Sequence, residues 1–310
     1  MSDESSCKQN KAATPDHVET TEDSSERYED IVDAAGMTED NSESNEDMVD
    51  SVQRKVQPIH VKDYKMDHGK RGLFVIFNQK EFKIRSTTLK KRDGTDIDEA
   101  SLKETAEILG FKVKTHHDLE RKEIQDKMWK YAKKDHSDHD CFACAILTHG
   151  GQDDVLYAAD DEMKLNHFTE PFQADKCKSL AGKPKLFFVQ ACRADQLNKN
   201  ILVDQVSADT IDASNQLAQV RLPVQADFLI SLATTAEHYA WRNERYGSIF
   251  IQTLCSVLNK YGHTLDLHKL LTRVNGMVAY NFESWSQSKN MNHKKKIPTF
   301  TSRLTRDLYF

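Results

Sequence analysis

The stretch LFFVQACR, residues 186–193, joins a short apolar run to a cysteine, and the fold is best worked out from this point. A continuous apolar run of this length is typical of a buried strand in a parallel sheet. A second such run, CFACAIL at 141–147, leads directly into Thr148-His149-Gly150-Gly151. Two predicted strands therefore end in side chains that carry chemistry, Cys192 and His149. Sites in open parallel sheets form beyond the carboxyl ends of the strands, so neighbouring strands would bring the two together.

The segments around these two runs alternate between strand and helix patterns. Apolar strands are predicted at 72–78 and 111–115, and helices with one apolar face at 96–109 and 118–134. After residue 222 the pattern predicts a strand at 227–233, helices at 248–261 and 266–280, and short strands at 298–302 and 308–310. This order predicts an α/β fold with a mainly parallel sheet and helices on its faces.

The first 55 residues differ in composition from the rest of the chain. Residues 1–50 carry 16 acidic and 3 basic side chains, and the whole segment is poor in aromatic residues. Such a segment cannot bury enough apolar surface to offset the entropy of ordering it, so we expect residues 1–55 to be disordered. Two similar phrases lie within it, Asp30-Ile31-Val32-Asp33 and Asp47-Met48-Val49-Asp50.

The totals also bear on location and partners. No apolar run reaches 18 residues and the amino terminus is polar, so we expect neither a membrane span nor a secretory signal. The six cysteines then favour reduced thiols in a cytoplasmic protein. Basic residues are in mild excess after residue 50, including the run Lys294-Lys295-Lys296. Their scatter favours a solvated surface over nucleic-acid binding.

Cys192 and His149 together fit nucleophilic catalysis. A thiol attacks as its thiolate, and a neighbouring imidazole can accept the proton. Glycine at 150 lets a substrate backbone approach closely, and the N–H groups of Gly150 and Cys192 are candidates for an oxyanion hole. Taken alone, a cysteine at a strand end is more often a small buried apolar residue, so the surrounding motifs decide.

A metal site is the alternative use of the cysteines and histidines near 140. His136, His139, Cys141 and Cys144 lie within nine residues, which is compatible with structural zinc. However, positions 141 and 144 fall in a predicted strand, where residues three apart point to opposite faces. We therefore expect no metal here.

The motifs around both chemical residues resemble those of the caspase family of cysteine proteases. Gln190-Ala191-Cys192-Arg193 follows an apolar strand, and His149 lies 43 positions before the cysteine. The likeness runs from about Tyr64 to Phe310 and includes the segments 92–96, 181–187, 226–229, 241–243, 271–275 and 304–306. The resemblance implies a three-layer fold with a six-stranded sheet, no cofactor, and a homodimer of large and small subunit pairs.

The resemblance also implies a division of the chain. Residues 1–55 would be an acidic pro-segment, 56–204 a large subunit, 205–222 a cleavable linker and 223–310 a small subunit. So short a pro-segment leaves no room for a folded recruitment domain, which favours the effector type. The candidate cleavage sites are Asp33, Asp50, Asp204, Asp209 and Asp212.

Cleavage after aspartate is the specificity that the resemblance implies. A P1 carboxylate calls for planar, permanently charged donors, and by resemblance these are Arg92 and Arg242, with Gln190 as a third donor. The resemblance assigns the P2 and P4 contacts to Trp241, Asn243 and Trp285. The implied partners are protein substrates with Asp at P1, an activating initiator caspase and inhibitor-of-apoptosis proteins, with neither nucleic acid nor membrane.

One departure from the family pattern lies beside the nucleophile. The glycine that follows Gln-Ala-Cys-Arg in the family is Ala194 here, and if the position needs a positive φ, alanine costs about 1 kcal/mol. An alternative function is therefore a catalytically weak or inactive caspase-like protein that binds or titrates other caspases. Because Cys192 and His149 are intact, we favour an active zymogen that executes apoptosis.

Overall fold

The computed structural model of the protein describes residues 63–84, 89–151, 155–192, 223–233, 242–283 and 295–310. All of them belong to one compact unit, Ile59–Phe310. Residues 1–55, which we expect to be disordered, lie outside the described residues. The same is true of the proposed linker 205–222 and of all five candidate cleavage sites. The predicted division into subunits therefore stays a prediction.

Six of the strands and the four long helices of the described chain lie close to the segments that the apolar patterns predict. The strands are β1 (Lys70–Asn78), β2 (Lys112–His117), β3 (His139–Leu147), β4 (Val155–Tyr157), β5 (Glu162–Lys164), β6 (Lys185–Gln190), β7 (Phe228–Leu232), β8 (Arg242–Asn243), β9 (Gly247–Ser248) and β10 (Thr299–Ser302). The helices are α1 (Thr95–Ile108), α2 (Arg121–Ala132), α3 (Asn166–Thr169), α4 (Ile249–Tyr261) and α5 (Leu267–Asn281). None of the described helices is both long enough and apolar enough to cross a membrane.

A six-stranded sheet in the order β10-β7-β6-β3-β1-β2 forms the centre of the unit. Neighbouring strands in the series β7-β6-β3-β1-β2 are parallel, and β10 pairs antiparallel with β7 at the edge. The predicted α/β fold with a mainly parallel six-stranded sheet is confirmed.

The core lies on both faces of this sheet, because successive side chains of a strand point to opposite sides. On one face Phe74 and Ile76 pack with α1, α4 and α5. On the other face Val75 and Phe77 pack with α2 and α3. Helices therefore cover both sides, which explains why β1, β3 and β6 consist of nearly continuous apolar residues.

Cys141 and Cys144 test the argument against a zinc site. Cys141 packs in the cluster with α1, whereas Cys144 packs in the cluster with α2, so the two thiols face opposite sides of β3. Within the described ranges no group of three or more His, Cys, Asp or Glu side chains is arranged to hold a metal ion.

The predicted strand at 308–310 is wrong. Asp307 forms a single bridge with Asp63, and the three residues after it are not in a strand. Leu308 is buried and its carbonyl accepts the N–H of Leu267 at 2.9 Å, at the start of α5. Leu308 is thus buried in the apolar cluster that includes α1, α4 and α5, and the ring of Phe310 lies 6.0 Å from that of Phe111. The periodicity of so short a run does not distinguish such packing from pairing in a sheet.

Tyr64 ties together three segments that are far apart in sequence. Its hydroxyl donates to Asp227 Oδ1 at 2.6 Å and accepts the N–H of Thr305 at 2.8 Å. The hydroxyl of Thr305 donates to the same oxygen of Asp227 at 2.7 Å. Because Asp227 is buried immediately before β7, these bonds hold the start of the unit and its last residues against the central sheet.

Tyr64→Phe should destabilise the protein because Asp227 would lose one donor while the ring still fills its place. A buried acceptor that loses a donor costs about 1–3 kcal/mol. For a domain of this size we expect a fall in the melting temperature of roughly 2–4 °C per kcal/mol, measured by calorimetry. Tyr280→Phe is the matched control, since Tyr280 is 83% exposed. Equal melting temperatures for the two variants would contradict the role given to the Tyr64 hydroxyl.

Candidate active site

The register of β3 and β6 brings Cys192 and His149 to the same level. Leu147 lies opposite Gln190, and the N–H of Thr148 donates to the carbonyl of Gln190 at 3.1 Å. Each of the two chemical residues follows its strand's last paired residue by two positions. Both therefore leave the sheet at its carboxyl edge on adjacent parallel strands.

Gly150 lies directly against the backbone of Cys192. A Cβ atom on Gly150 would be 2.2 Å from the carbonyl oxygen of Cys192 and 3.0 Å from the Cβ of Ala191. Only glycine allows the loop that carries His149 to come this close to the nucleophile's backbone.

The N–H of Gly150 is not used by the short ladder next to it. The N–H of Gly151 donates to the carbonyl of Val155 at 2.9 Å, and the N–H of Tyr157 donates to the carbonyl of His149 at 3.1 Å. These two bonds flank the bridge between Gly150 and Leu156. The Gly150 N–H thus stays out of that ladder, as the predicted oxyanion donor requires.

A main-chain carbonyl orients the imidazole of His149. Nε2 lies 2.7 Å from the carbonyl oxygen of Lys90. Because a carbonyl only accepts, Nε2 carries the hydrogen of this bond, and Nδ1 is the nitrogen that remains for proton exchange. Phe82 packs beside the ring with centroids 5.0 Å apart. The sequence does not predict this contact with Lys90, because a main-chain carbonyl is present in every residue type.

Arg92 is buried at the same edge, with 1% of its surface exposed. Its Nη1 donates to the carbonyl of Gln79 and to Thr95 Oγ1, both at 2.9 Å. Thr95 in turn donates to Asn78 Oδ1 at 2.7 Å, at the end of β1. These bonds fix one side of the guanidinium to the carboxyl end of β1.

Gln190 is also 1% exposed, as the last residue of β6. Its Oε1 has no hydrogen-bond partner within the part of the chain that the structure describes. Two of the three predicted P1 donors, Arg92 and Gln190, are therefore buried on strands or loops that end at the same edge as Cys192.

The loop that carries Arg92 packs against the segment that carries Arg242. Gly94 has φ 82°, and a Cβ there would lie 2.6 Å from the carbonyl oxygen of Asn243 and 2.8 Å from Glu244 Cα. Asn243 follows Arg242 in β8. The backbone segments of the two predicted arginines are thus in contact through Gly94.

The remaining predicted substrate contacts are only partly described. Of Arg242 the structure describes the backbone alone, and Trp241, Trp285 and Ala194 lie outside the described residues. The Oδ1 of Asn243 accepts the N–H groups of Arg245 and Tyr246 at 2.8 and 3.1 Å, so this oxygen closes the turn between β8 and β9.

Comparison with known proteins shows the family of this chain. The family model for the caspase domain matches residues 71–309. The chain belongs to the caspase family. It is 42% identical over 247 residues to caspase-7 of Gallus gallus and to caspase-3 of Mus musculus, covering 80% of this chain and 79% and 86% of theirs. The crystal structure of caspase-1 from Spodoptera frugiperda matches with a TM-score of 0.71 and 41% identity, covering 81% of this chain and 95% of that one.

Membership of the family makes this caspase a cysteine-type endopeptidase, as the motifs predict. The matched region includes every described strand except the first residue of β1. The family model therefore spans the sheet apart from that residue, including both strand ends that carry the chemical residues.

Two further charged side chains that the sequence pattern does not predict are buried near this edge of the caspase. Asp98, in the first turn of α1, is buried, and its Oδ1 accepts the Ser248 N–H at 2.8 Å and Gln252 Nε2 at 2.9 Å. Burial raises the pKa of Asp98. Lys296 was expected on a solvated surface but is buried as well. A run of three lysines gives no sign of which one faces inward.

Gly94→Ala should reduce activity more than stability. A left-handed backbone costs alanine about 1–2 kcal/mol, and its Cβ would push the loop carrying Arg92 away from β8. We expect kcat/KM for an Asp-containing peptide to fall at least tenfold in protein that is still folded at the assay temperature. Gly276→Ala in α5 is the control, because its Cβ would meet nothing within 4 Å. Wild-type kcat/KM in Gly94→Ala would disprove the coupling between the two loops.

Proposed function

We propose that this caspase cleaves protein substrates after aspartate, with Cys192 as nucleophile and His149 as acid and base. The proposal rests above all on the β3–β6 register, which aligns the two residues on adjacent strands. Arg92, buried at the same edge, supplies a permanent positive charge for a P1 carboxylate. By resemblance Gln190 and Arg242 complete the pocket.

The reaction begins with a proton transfer from the Cys192 thiol to Nδ1 of His149. The thiolate then attacks the main-chain carbonyl carbon of the substrate aspartate, and the N–H groups of Gly150 and Cys192 stabilise the oxyanion. His149 returns its proton to the leaving amine, and a thioester with Cys192 remains. Water, deprotonated by His149, hydrolyses the thioester and restores the thiol.

The cellular role that we propose is that of an effector caspase in apoptosis, acting in the cytoplasm. Its relatives include proteins named caspase-3 and caspase-7. The acidic segment 1–55 and the linker 205–222 would be removed or cut at aspartates by an initiator caspase. The mature enzyme would be a homodimer restrained by inhibitor-of-apoptosis proteins.

The edge strand β10 is the surface that we propose for dimerisation. In the described sheet β10 pairs only with β7, so its outer edge keeps main-chain groups available for a second copy. A predicted strand at 308–310 would have competed for this place. Because those residues form no strand, β10 is the outermost strand of the described sheet on this side.

The specificity is tested with fluorogenic tetrapeptides that differ only at P1. The linker-cleaved protein should hydrolyse Asp-Glu-Val-Asp and lose at least a hundredfold in kcat/KM when P1 is Asn, because the amide lacks the charge that the arginines bind. Cys192→Ala is the control and should be inactive. If the wild-type protein leaves all peptides uncut but binds an active caspase in a pull-down, the regulator alternative replaces this proposal.

Activation is tested by Asp204→Ala. If cleavage after Asp204, directly before the linker, orders the nucleophile's loop, the large and small subunits of the variant should remain largely joined on a denaturing gel after treatment with an initiator caspase. Its kcat/KM should stay at least tenfold below that of the treated wild type. Asp212→Ala controls for the loss of any linker aspartate. Full activity in uncut Asp204→Ala protein would show that this cut is not the switch.

A further inference from the structure

Asp98 is a buried carboxylate between the segments that carry the two arginines of the proposed P1 pocket. It lies in the first turn of α1, which follows the loop of Arg92, and 0% of its surface is exposed. A carboxylate taken out of water loses hydration that only hydrogen bonds or neighbouring charges can replace. The burial of Asp98 therefore opposes folding and calls for an explanation.

The residue that Asp98 holds lies directly opposite Arg242. Oδ1 of Asp98 accepts the main-chain N–H of Ser248 at 2.8 Å. Ser248 is the last residue of β9, and in the antiparallel pair of β8 with β9 it lies opposite Arg242. One buried hydrogen bond thus joins α1, next to the loop of Arg92, to the strand that pairs with the backbone of Arg242.

Two more contacts fit the carboxylate of Asp98 to the same segment. A Cβ atom on Gly247, the other residue of β9, would lie 2.5 Å from Oδ1 of Asp98. Nε2 of Gln252, in the first turn of α4, donates to the same oxygen at 2.9 Å. Oε1 of Gln252 in turn accepts the hydroxyl of Ser101 in α1 at 3.1 Å. The carboxylate is therefore enclosed between β9 and the start of α4.

Helix capping and packing do not account for Asp98. Ser248 is itself the N-cap of α4, and its Oγ accepts the N–H of Ile251 at 3.3 Å, so the helix is capped without Asp98. Packing alone would be served by an apolar side chain, which loses no hydration on burial. What the hydrogen bond to Ser248 adds is direction, because it fixes where β9 lies relative to α1.

We propose that Asp98 is a positioning residue for the P1 pocket: by holding Ser248, it sets the distance between the backbone segments of Arg92 and Arg242. The inference rests on the proposed role of these two arginines. A carboxylate bound by two guanidinium groups requires both to reach it at once, so displacement of one segment weakens binding. Gly94 lets the two segments approach each other, and Asp98 fixes them in that arrangement.

The test compares substrate binding with the reactivity of the nucleophile. Asp98→Ala and Asp98→Leu both remove the acceptor of the Ser248 N–H, and the linker-cleaved proteins are assayed with an Asp-Glu-Val-Asp peptide. KM should rise about tenfold and kcat should change by less than about threefold, because the P1 contacts are made in the ground state as well as in the transition state. Alkylation of Cys192 by iodoacetamide, which carries no carboxylate, should stay within about twofold of the wild-type rate.

Two controls separate positioning from stability. Ser101→Ala removes the other bond between α1 and Gln252 but leaves the bond to Ser248, so it should keep the wild-type KM. Asp98→Asn keeps an acceptor oxygen and should restore KM to within about threefold of the wild-type value. Circular dichroism at the assay temperature confirms that each variant is folded. A folded Asp98→Asn protein as impaired as Asp98→Ala would overturn the role given to this hydrogen bond.

Binding measured without catalysis separates this inference from the proposed function. In Cys192→Ala protein, the Kd of a fluorescent peptide that ends in Asp-Glu-Val-Asp should rise about tenfold when Asp98→Ala is added. Unchanged affinity in a folded variant that lacks the acceptor overturns the role of Asp98, whatever the wild-type protein cleaves. If the wild-type protein cuts no peptide but affinity still depends on Asp98, the proposed function alone is overturned. If Cys192→Ala protein does not bind the peptide, the P1 pocket is misplaced and the inference falls with it.

Discussion

The parallel pairing of β3 with β6 is the constraint on which the site depends. Leu147 opposite Gln190 sets how far each chain continues before it leaves the sheet, and so it sets the level of His149 and Cys192. A slip of one residue would move every side chain of one strand to the other face and separate the pair. The apolar residues of both strands, buried on both faces, prevent such a slip.

Besides this register, the site requires that backbone segments of neighbouring loops approach each other closely. Gly150 lets the histidine loop lie against the carbonyl of Cys192, and Gly94 lets the loop of Arg92 lie against β8. In both places a Cβ atom would come nearer than atoms can approach. The glycines thus allow loops that follow different strands to come into contact. The strands themselves determine only where each loop begins and in which direction it leaves the sheet.

The sequence predicts well whatever is encoded in runs of apolar residues. The six strands of the central sheet, the main helices, the opposite orientation of Cys141 and Cys144, and the two strand ends all follow from periodicity and from motif order, whereas the short strands β4, β5, β8 and β9 do not. Prediction from the sequence fails where tertiary contacts determine the position of a residue. The carbonyl of Lys90 has no side-chain signature, residues 308–310 form no strand, and Lys296 is buried in the segment that leads into β10.

Charged side chains buried at the carboxyl edge of the sheet require hydrogen bonds that compensate them. Arg92, Asp98 and Lys296 are all buried there, and each opposes folding unless it is compensated. Arg92 and Asp98 are compensated by bonds to the neighbouring chain, at Gln79 and Thr95 and at Ser248 and Gln252. Lys296 has no such bonds in the described chain. Burial of Lys296 therefore remains a cost to folding that the packing and hydrogen bonds of the surrounding sheet must offset.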